Sequence, residues 1–333
     1  VEVLQLPPLA SPDDRFSGLV DDQGQEPGPG LWEARRDLLL ATVRDQHPVV
    51  LLTEMYPFGR RAFRHEVNDL LDAARKLSPR PLFVSTVRDV LVSKSKPERW
   101  LEMRDIALQR YDLVLVHGDP ALFPFGASFP HAADLGSRLV HTGFVLSPSR
   151  PAPTGAPRDT VVISAGGGAV GSRLLKTALA ARPHTRLAEA QWRLVGGQNL
   201  PPEIRDQLRR EMPADVVLDG HRNDLPALMA AAEVCVCQAG YNTVVEGLAH
   251  AARLVLVPFD SAGQDEQRAR AERLRDLGLA QLVHPAELDP VTLAAAIDHG
   301  ASLPRPAIGK LSFDGAERSA RMTADRVRHA LAA

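Results

Sequence analysis

Short apolar runs of strand length alternate along this chain with amphipathic stretches of helical period, the pattern of parallel sheets covered by helices on both faces. In the first part the predicted strands are Val1–Leu6, Pro48–Thr53, Pro81–Ser85, Leu113–His117 and Arg138–Thr142. Helices are predicted near Trp32–Gln46, Arg60–Lys76, Glu98–Arg110 and His131–Asp134. A stretch rich in Pro, Ala, Gly and Ser, residues 147–159, then breaks the period and reads as a linker. The pattern restarts with a strand over Thr160–Ser164, a glycine turn over Ala165–Ala169 and a helix over Gly171–Ala181. Strands follow at Gln191–Val195, Val216–Leu218, Val234–Cys237, Leu254–Val257 and Ala280–Val283, and a last helix runs over Gly315–Leu331. The fold expected is α/β: an N-terminal Rossmann-like αβα domain over 1–146 and a second over 160–333, facing each other across a cleft.

Composition narrows the function. A chain of 333 residues accommodates two domains, each with its own core. With 39 Lys and Arg against 41 Asp and Glu, net charge −2 and no basic cluster, nucleic acid is not an expected partner. No apolar run approaches the roughly 18 residues of a membrane span, and no signal-peptide pattern opens the chain. The expectation is a cytoplasmic protein without a transmembrane segment, with peripheral membrane contact left open. Cys235 and Cys237, two apart in a predicted strand, share one face of a sheet and read as small buried apolar residues, with no disulfide or metal implied.

The candidate chemistry lies between Cys237 and Gln267. There a buried strand runs into Gly240 and then a helix, Tyr241–Ala251, opened by Asn242 or Thr243. The free N–H groups and dipole of such a helix start favour a diphosphate by about 0.3–2 kcal/mol per charge. Glu246, one turn in, could then take both hydroxyls of a ribose. The competing reading is a capping box, Thr243-x-x-Glu246, with the carboxylate returning to its own backbone. The loop after the next strand, Phe259 to Gln267, places Gln264, Glu266 and Gln267 at the same sheet edge. Ligands of open α/β sheets bind at that edge, so two adjacent polar loops favour a site over a cap.

With these residues the stretch from about Asp159 to Gly278 resembles the C-terminal donor domain of the MurG-like family 28 glycosyltransferases, whose two Rossmann-like domains form the GT-B fold. The likeness rests on the glycine loop, the Gly-x-x-Thr-x-x-Glu helix start, the Val-Pro-Phe strand end and the Glu266-Gln267 pair. It implies a nucleoside diphosphate sugar donor, with ribose on Glu246, diphosphate at Gly240, Tyr241, Asn242 and Thr243, and sugar at Gln264, Glu266 and Gln267. The family has a Gln-Gln pair where this chain has Glu266-Gln267, which leaves the donor sugar open. The loop Gly166-Gly167-Gly168 stands where the family approaches the phosphates, and only backbone N–H groups could make the contact; a plain tight turn is the alternative. His221 and Arg222 stand where the family reads the nucleotide base, or else form a turn capped by Asn223 or Asp224.

The N-terminal half is more similar to a group of uncharacterised bacterial glycosyltransferases of the same superfamily. The residues carrying that likeness are the runs from Glu54 to Arg61, Ser85 to Val92 and Val116 to Pro120. On a parallel sheet three polar loops would line the acceptor side, with Arg60, Arg61 and Arg88 as binding candidates and Glu54, Asp89 and His117 as candidate bases. Each has a plain alternative: solvated helix-start arginines, an Arg88–Asp89 surface pair and a satisfied strand-end histidine. A first Rossmann unit is expected to open with strand, glycine turn and helix, yet Val1–Leu6 leads into a Pro-, Asp- and Gly-rich loop reaching about Gly30, and there is no initiator Met. The expectation is a chain lacking its first strand–turn–helix, which in the family bears a Gly-His motif whose histidine is the usual candidate base.

The resemblance implies transfer of a sugar from a nucleoside diphosphate donor, UDP-linked, to an unknown hydroxylated acceptor. Inversion by single displacement is implied too, with no cofactor and, lacking an Asp-x-Asp pair, no metal. The alternatives are a nucleotide-sugar hydrolase, a nucleotide-sugar 2-epimerase or a non-catalytic nucleotide-sugar binder.

Overall fold

The computed structural model describes residues 2–12, 18–93, 96–146, 160–166, 171–197, 200–259, 265–309 and 311–332. The predicted linker 147–159, Gly167, Gly168 and Gln264 lie outside the described residues. The chain divides into two compact units, one of Val1–Pro120, Pro124–Gly143 and Asp314–Ala333, the other of Ala121–Phe123 and Phe144–Phe313.

The first unit holds a parallel sheet of order β1-β2-β3-β4, formed by Val50–Glu54, Leu82–Arg88, Leu113–His117 and Leu139–His141. Helices α1 (Pro29–Gln46), α2 (Arg64–Ala74) and α3 (Pro97–Arg110) connect and cover it. The central β2 and β3 read as near-continuous apolar runs because both faces are buried, as parallel strands require. Three expectations are corrected here. Among the described residues 2–6 form no strand; Val3 is 81% exposed, and an apolar run with no neighbouring strand gains nothing from extension. The long helix predicted from Arg60 to Lys76 is broken at its start, because Arg60 takes a left-handed φ of 55° and a 3-10 turn precedes α2. The short helix predicted near His131–Asp134 is a 3-10 stretch, Ala132–Arg138.

The second unit holds a six-stranded parallel sheet: β5 (Thr160–Ser164), β6 (Gln191–Val195), β7 (Val217–Asp219), β8 (Val234–Cys237), β9 (Leu254–Leu256) and β10 (Gln281–Leu282). Their order is β10-β9-β8-β5-β6-β7. Counted from β5 as the first strand, this is the doubly wound order 3-2-1-4-5-6. Around it lie α4 (Ser172–Ala181), α5 (Pro202–Glu211), α6 (Leu225–Ala231), α7 (Tyr241–Ala249), α8 (Glu266–Asp276) and α9 (Pro290–Ser302). Trp192 sits fully buried in the core, where its indole N–H donates to Leu187 O at 2.9 Å and so carries no unpaired polar atom inward. The last helix, α10 (Gly315–Ala332), was expected in the C-terminal domain but groups with the first unit. It touches β2, and Arg326 donates to Ser137 O at 3.2 Å. Helical periodicity shows that such a segment will be a helix and not which apolar face will receive it.

Candidate functional site

The doubly wound order creates a switch point between β5 and β8, where the chain turns to opposite sides of the sheet and leaves a crevice at the strands' carboxyl ends. After β5, Ala165 and Gly166 turn the chain, Gly166 with a left-handed φ of +71° that favours glycine. Helix α4 begins soon after and packs hard against that turn. A Cβ on Gly171 would lie 2.2 Å from Ala165 Cβ, so only glycine permits the approach. Across the switch point Gln238 follows β8, its Oε1 3.3 Å from where a Cβ on Gly166 would stand.

Helix α7 opens at this point. Its N-cap is Gly240, with extended backbone and no side-chain cap, not the predicted Asn242 or Thr243. The capping-box reading therefore fails, because Thr243 and Glu246 both lie inside the helix. Val244 N–H makes a bond of 3.1 Å to Gly240 O, so the amides of Asn242 and Thr243 start the helix without a helical acceptor. Gly240 itself has φ −64°, and a Cβ there would meet nothing within 4 Å. Neither its backbone nor packing among the described residues demands glycine at that position.

Glu246 is half-buried on the second turn, and among the described residues its carboxylate has no hydrogen bond or ion pair. Burial pushes its carboxyl above the ordinary range. Glu266 opens α8 at the end of the neighbouring loop, and its Oε2 is buried without a hydrogen-bond partner. Gln267 has a structural duty as well, its Oε1 accepting the Phe259 N–H at 3.0 Å and so tying the start of the loop to the start of the helix.

One contributor escaped sequence reasoning. Arg270 is 1% exposed, one helical turn beyond Glu266, and donates to Ala239 O at 2.8 Å, pinning the turn that presents Gly240. The only signal would have been an arginine on the apolar stripe of α8. Tyr241, named as a donor residue, is buried; its hydroxyl accepts the Val145 N–H at 3.3 Å, and its ring packs 6.3 Å from that of Phe144. It anchors the helix start. Cys235 and Cys237 are unpaired and buried, the Cys237 thiol pushed up to about 12 by desolvation, which leaves it inert.

His221 and Arg222 follow β7 at the same sheet edge, but Arg222 is spent on carboxylates, bonding Asp224 at 2.6 and 2.8 Å and Asp219 at 3.0 Å. Asp219 in turn takes Arg193 at 3.0 Å. His221 is exposed and lies 2.9 Å from Asn223 Oδ1. Asp224 stands at the N-cap of α6 without a side-chain cap bond, its carboxylate taken by Arg222.

In the first unit the candidates divide sharply. Glu54 is exposed and lies 3.8 Å from Arg88, across neighbouring strand ends. Arg61 pairs with Glu102 of α3 at 3.3 Å, and Arg60 is exposed. Asp89 is sealed, 1% exposed, accepting the Val90 N–H at 2.8 Å. Its backbone lies so close to Gly118 that a Cβ there would come within 2.8 Å of Asp89 Cβ. His117, half-buried at the end of β3, places Nδ1 2.9 Å from Thr142 Oγ1. Burial lowers its pKa, partly opposed by Glu54.

The profile of the glycosyltransferase family 28 C-terminal domain matches residues 161–307. The UDP-N-acetylglucosamine–N-acetylmuramyl-(pentapeptide) pyrophosphoryl-undecaprenol N-acetylglucosamine transferase of Solibacter usitatus is 33% identical over 147 residues, 41% of this chain and 38% of its own length. Its namesake in Paramagnetospirillum magneticum is 31% identical over 191 residues, 52% of this chain and 50% of its own length. The chain thus spans half or less of these relatives. Among solved structures, MurG of Acinetobacter baumannii superposes with a TM-score of 0.56 at 16% identity, covering 91% of this chain and 86% of that one. That likeness shows the GT-B fold. No described helix is long and apolar enough to cross a membrane.

Proposed function

We propose, from the match of residues 161–307 to the glycosyltransferase family 28 C-terminal domain, that the protein is a MurG-like glycosyltransferase that moves a sugar from a nucleoside diphosphate, UDP-linked, to an acceptor hydroxyl. One observation carries the reading. A half-buried carboxylate with no partner among the described residues, Glu246, stands on the second turn of α7, whose uncapped start lies at the switch point of a doubly wound sheet. An unpaired buried carboxylate costs stability unless a ligand repays it, and a ribose diol offers two O–H donors to its two oxygens. The amides of Asn242 and Thr243 and the dipole of α7 would hold the diphosphate and stabilise the charge it gains on leaving, so the reading includes single displacement with inversion and no metal ion.

The sugar falls to Glu266 and Gln267. Glu266 presents only acceptor oxygens when ionised, so it suits sugar hydroxyls and offers nothing to a carbonyl. The acceptor side is assigned to the loops after β1, β2 and β3. A cytoplasmic site fits the unpaired Cys235 and Cys237. The test is titration calorimetry with UDP, followed by donor profiling that reads released UDP with and without hydroxyl acceptors. A folded Glu246→Ala variant that binds UDP as tightly as the wild type would return Glu246 to a purely structural role.

A further inference from the structure

Helix α8 serves two parts of the candidate donor site. Glu266 and Gln267 stand on its first turn, and Arg270, one turn further along the face of Glu266, reaches the start of α7. Arg270 is 1% exposed; its Nη1 donates to Ala239 O at 2.8 Å, and its guanidinium carbon lies 6.0 Å from the centre of the Tyr241 ring. Ala239 O and Gly240 N–H belong to one trans peptide plane and point opposite ways. A carbonyl held by the buried guanidinium therefore turns the Gly240 N–H away from the interior, and Gly240 is partly exposed where Ala239 is not. Among the described residues nothing accepts the N–H of Gly240, Asn242 or Thr243. The start of α7 thus offers three free amides.

We propose that Arg270 is a positioning residue for the diphosphate: its bond to Ala239 O locks the peptide between Ala239 and Gly240, so that the Gly240 N–H joins those of Asn242 and Thr243 as a phosphate donor. The proposal rests on the donor-site reading above and concerns the second unit alone. The lock matters because this peptide is free to turn over. Rotating it exchanges the two groups and carries φ of Gly240 from −64° to a positive value, which glycine tolerates without strain. In the turned state a carbonyl oxygen faces the phosphates and repels them. Nothing else described holds the Ala239 carbonyl by a hydrogen bond. The dipole of α7 supplies a general attraction for an anion, and Arg270 supplies the aim of one donor. Arginine suits the place because its planar fork serves a carbonyl while lying beside an aromatic ring.

The test uses the full chain, with UDP and uridine as probes. Arg270→Met keeps an apolar stem and removes the donors. It is expected to weaken UDP by about 10-fold or more in calorimetry, the scale of one lost hydrogen bond to a charged group. Uridine affinity, read by NMR titration, should stay at the wild-type value, because the lost aim concerns the phosphates. Arg270→Lys, which keeps a donor, should restore part of the UDP affinity. In the wild type the Gly240 amide resonance should move on addition of UDP and stay in place on addition of uridine, a readout that needs no variant and decides the matter if Arg270→Met does not fold. A purely structural arginine would lower the urea midpoint of Arg270→Met and leave the ratio of UDP to uridine affinity unchanged. That unchanged ratio, or a Gly240 amide that UDP does not move, overturns the proposal and leaves the donor site standing. A wild type that binds no UDP sinks the donor-site reading and this proposal with it.

Discussion

Two stretches of one sheet edge in the second unit make opposite use of their charged side chains. Along β6 and at and after the end of β7, Arg193, Asp219, Arg222 and Asp224 neutralise one another in a chain of bonds of 2.6–3.2 Å. Beyond β8 and β9, Glu246 has no partner among the described residues and Glu266 keeps a buried oxygen unsatisfied. The two glycines of the edge differ in the same way. Gly171 is demanded by Ala165, whereas no described residue demands Gly240. The lesson is that a functional edge is recognised by what the fold leaves unsatisfied, since a buried group unpaired in isolation costs free energy that folding alone has no reason to accept.

The largest effect is expected where the protein needs its own glycine. Gly171→Ala forces a Cβ into Ala165 and should cost about 1–3 kcal/mol of stability, read as a lower urea midpoint at constant m-value. Gly240→Ala should shift that midpoint by less than about 1 kcal/mol, a cost confined to a poorer N-cap residue, while weakening UDP. If the two glycines prove equal in stability, the contrast between packed and open positions collapses.

Next comes Glu246. Glu246→Ala should weaken UDP binding by about 1.5–3 kcal/mol, the scale of hydrogen bonds to a charged group. The same carboxylate predicts a pH effect in the ligand-free protein. Its folded pKa lies above the unfolded value, so the folded state binds the proton more tightly. That contribution to stability is fully present below the unfolded pKa and is lost as pH rises through the raised folded value. Glu246→Gln should therefore flatten the stability–pH curve across that window. A curve superimposable on the wild type's would show that the carboxylate has a partner after all.

The smallest effect belongs to the paired side. Arg222→Ala removes bonds that are partly solvent-screened, so a stability loss of at most about 1 kcal/mol is expected, with UDP affinity unchanged in calorimetry. If Arg222→Ala weakened UDP more than Glu246→Ala, the assignment of the two stretches would be reversed.

The sequence by itself determined the elements and much of the second unit's site. Strands such as Leu113–His117, Thr160–Ser164 and Val234–Cys237 were legible to the residue, because a parallel strand buried on both faces must be a near-continuous apolar run bounded by turn residues. The strand–glycine–helix order at Gly240 was legible for the same local reason. Tertiary structure alone decided how distant groups use one another. It chose Gly240 over Thr243 as the helix start, bound Arg222 to two aspartates and left Glu246 alone. It also brought Arg270 to Ala239, Thr142 to His117 and α10 to the first unit. A side chain's partner depends on which elements fold beside it, and periodicity along the chain carries no information about neighbours that are 25 or 31 residues away.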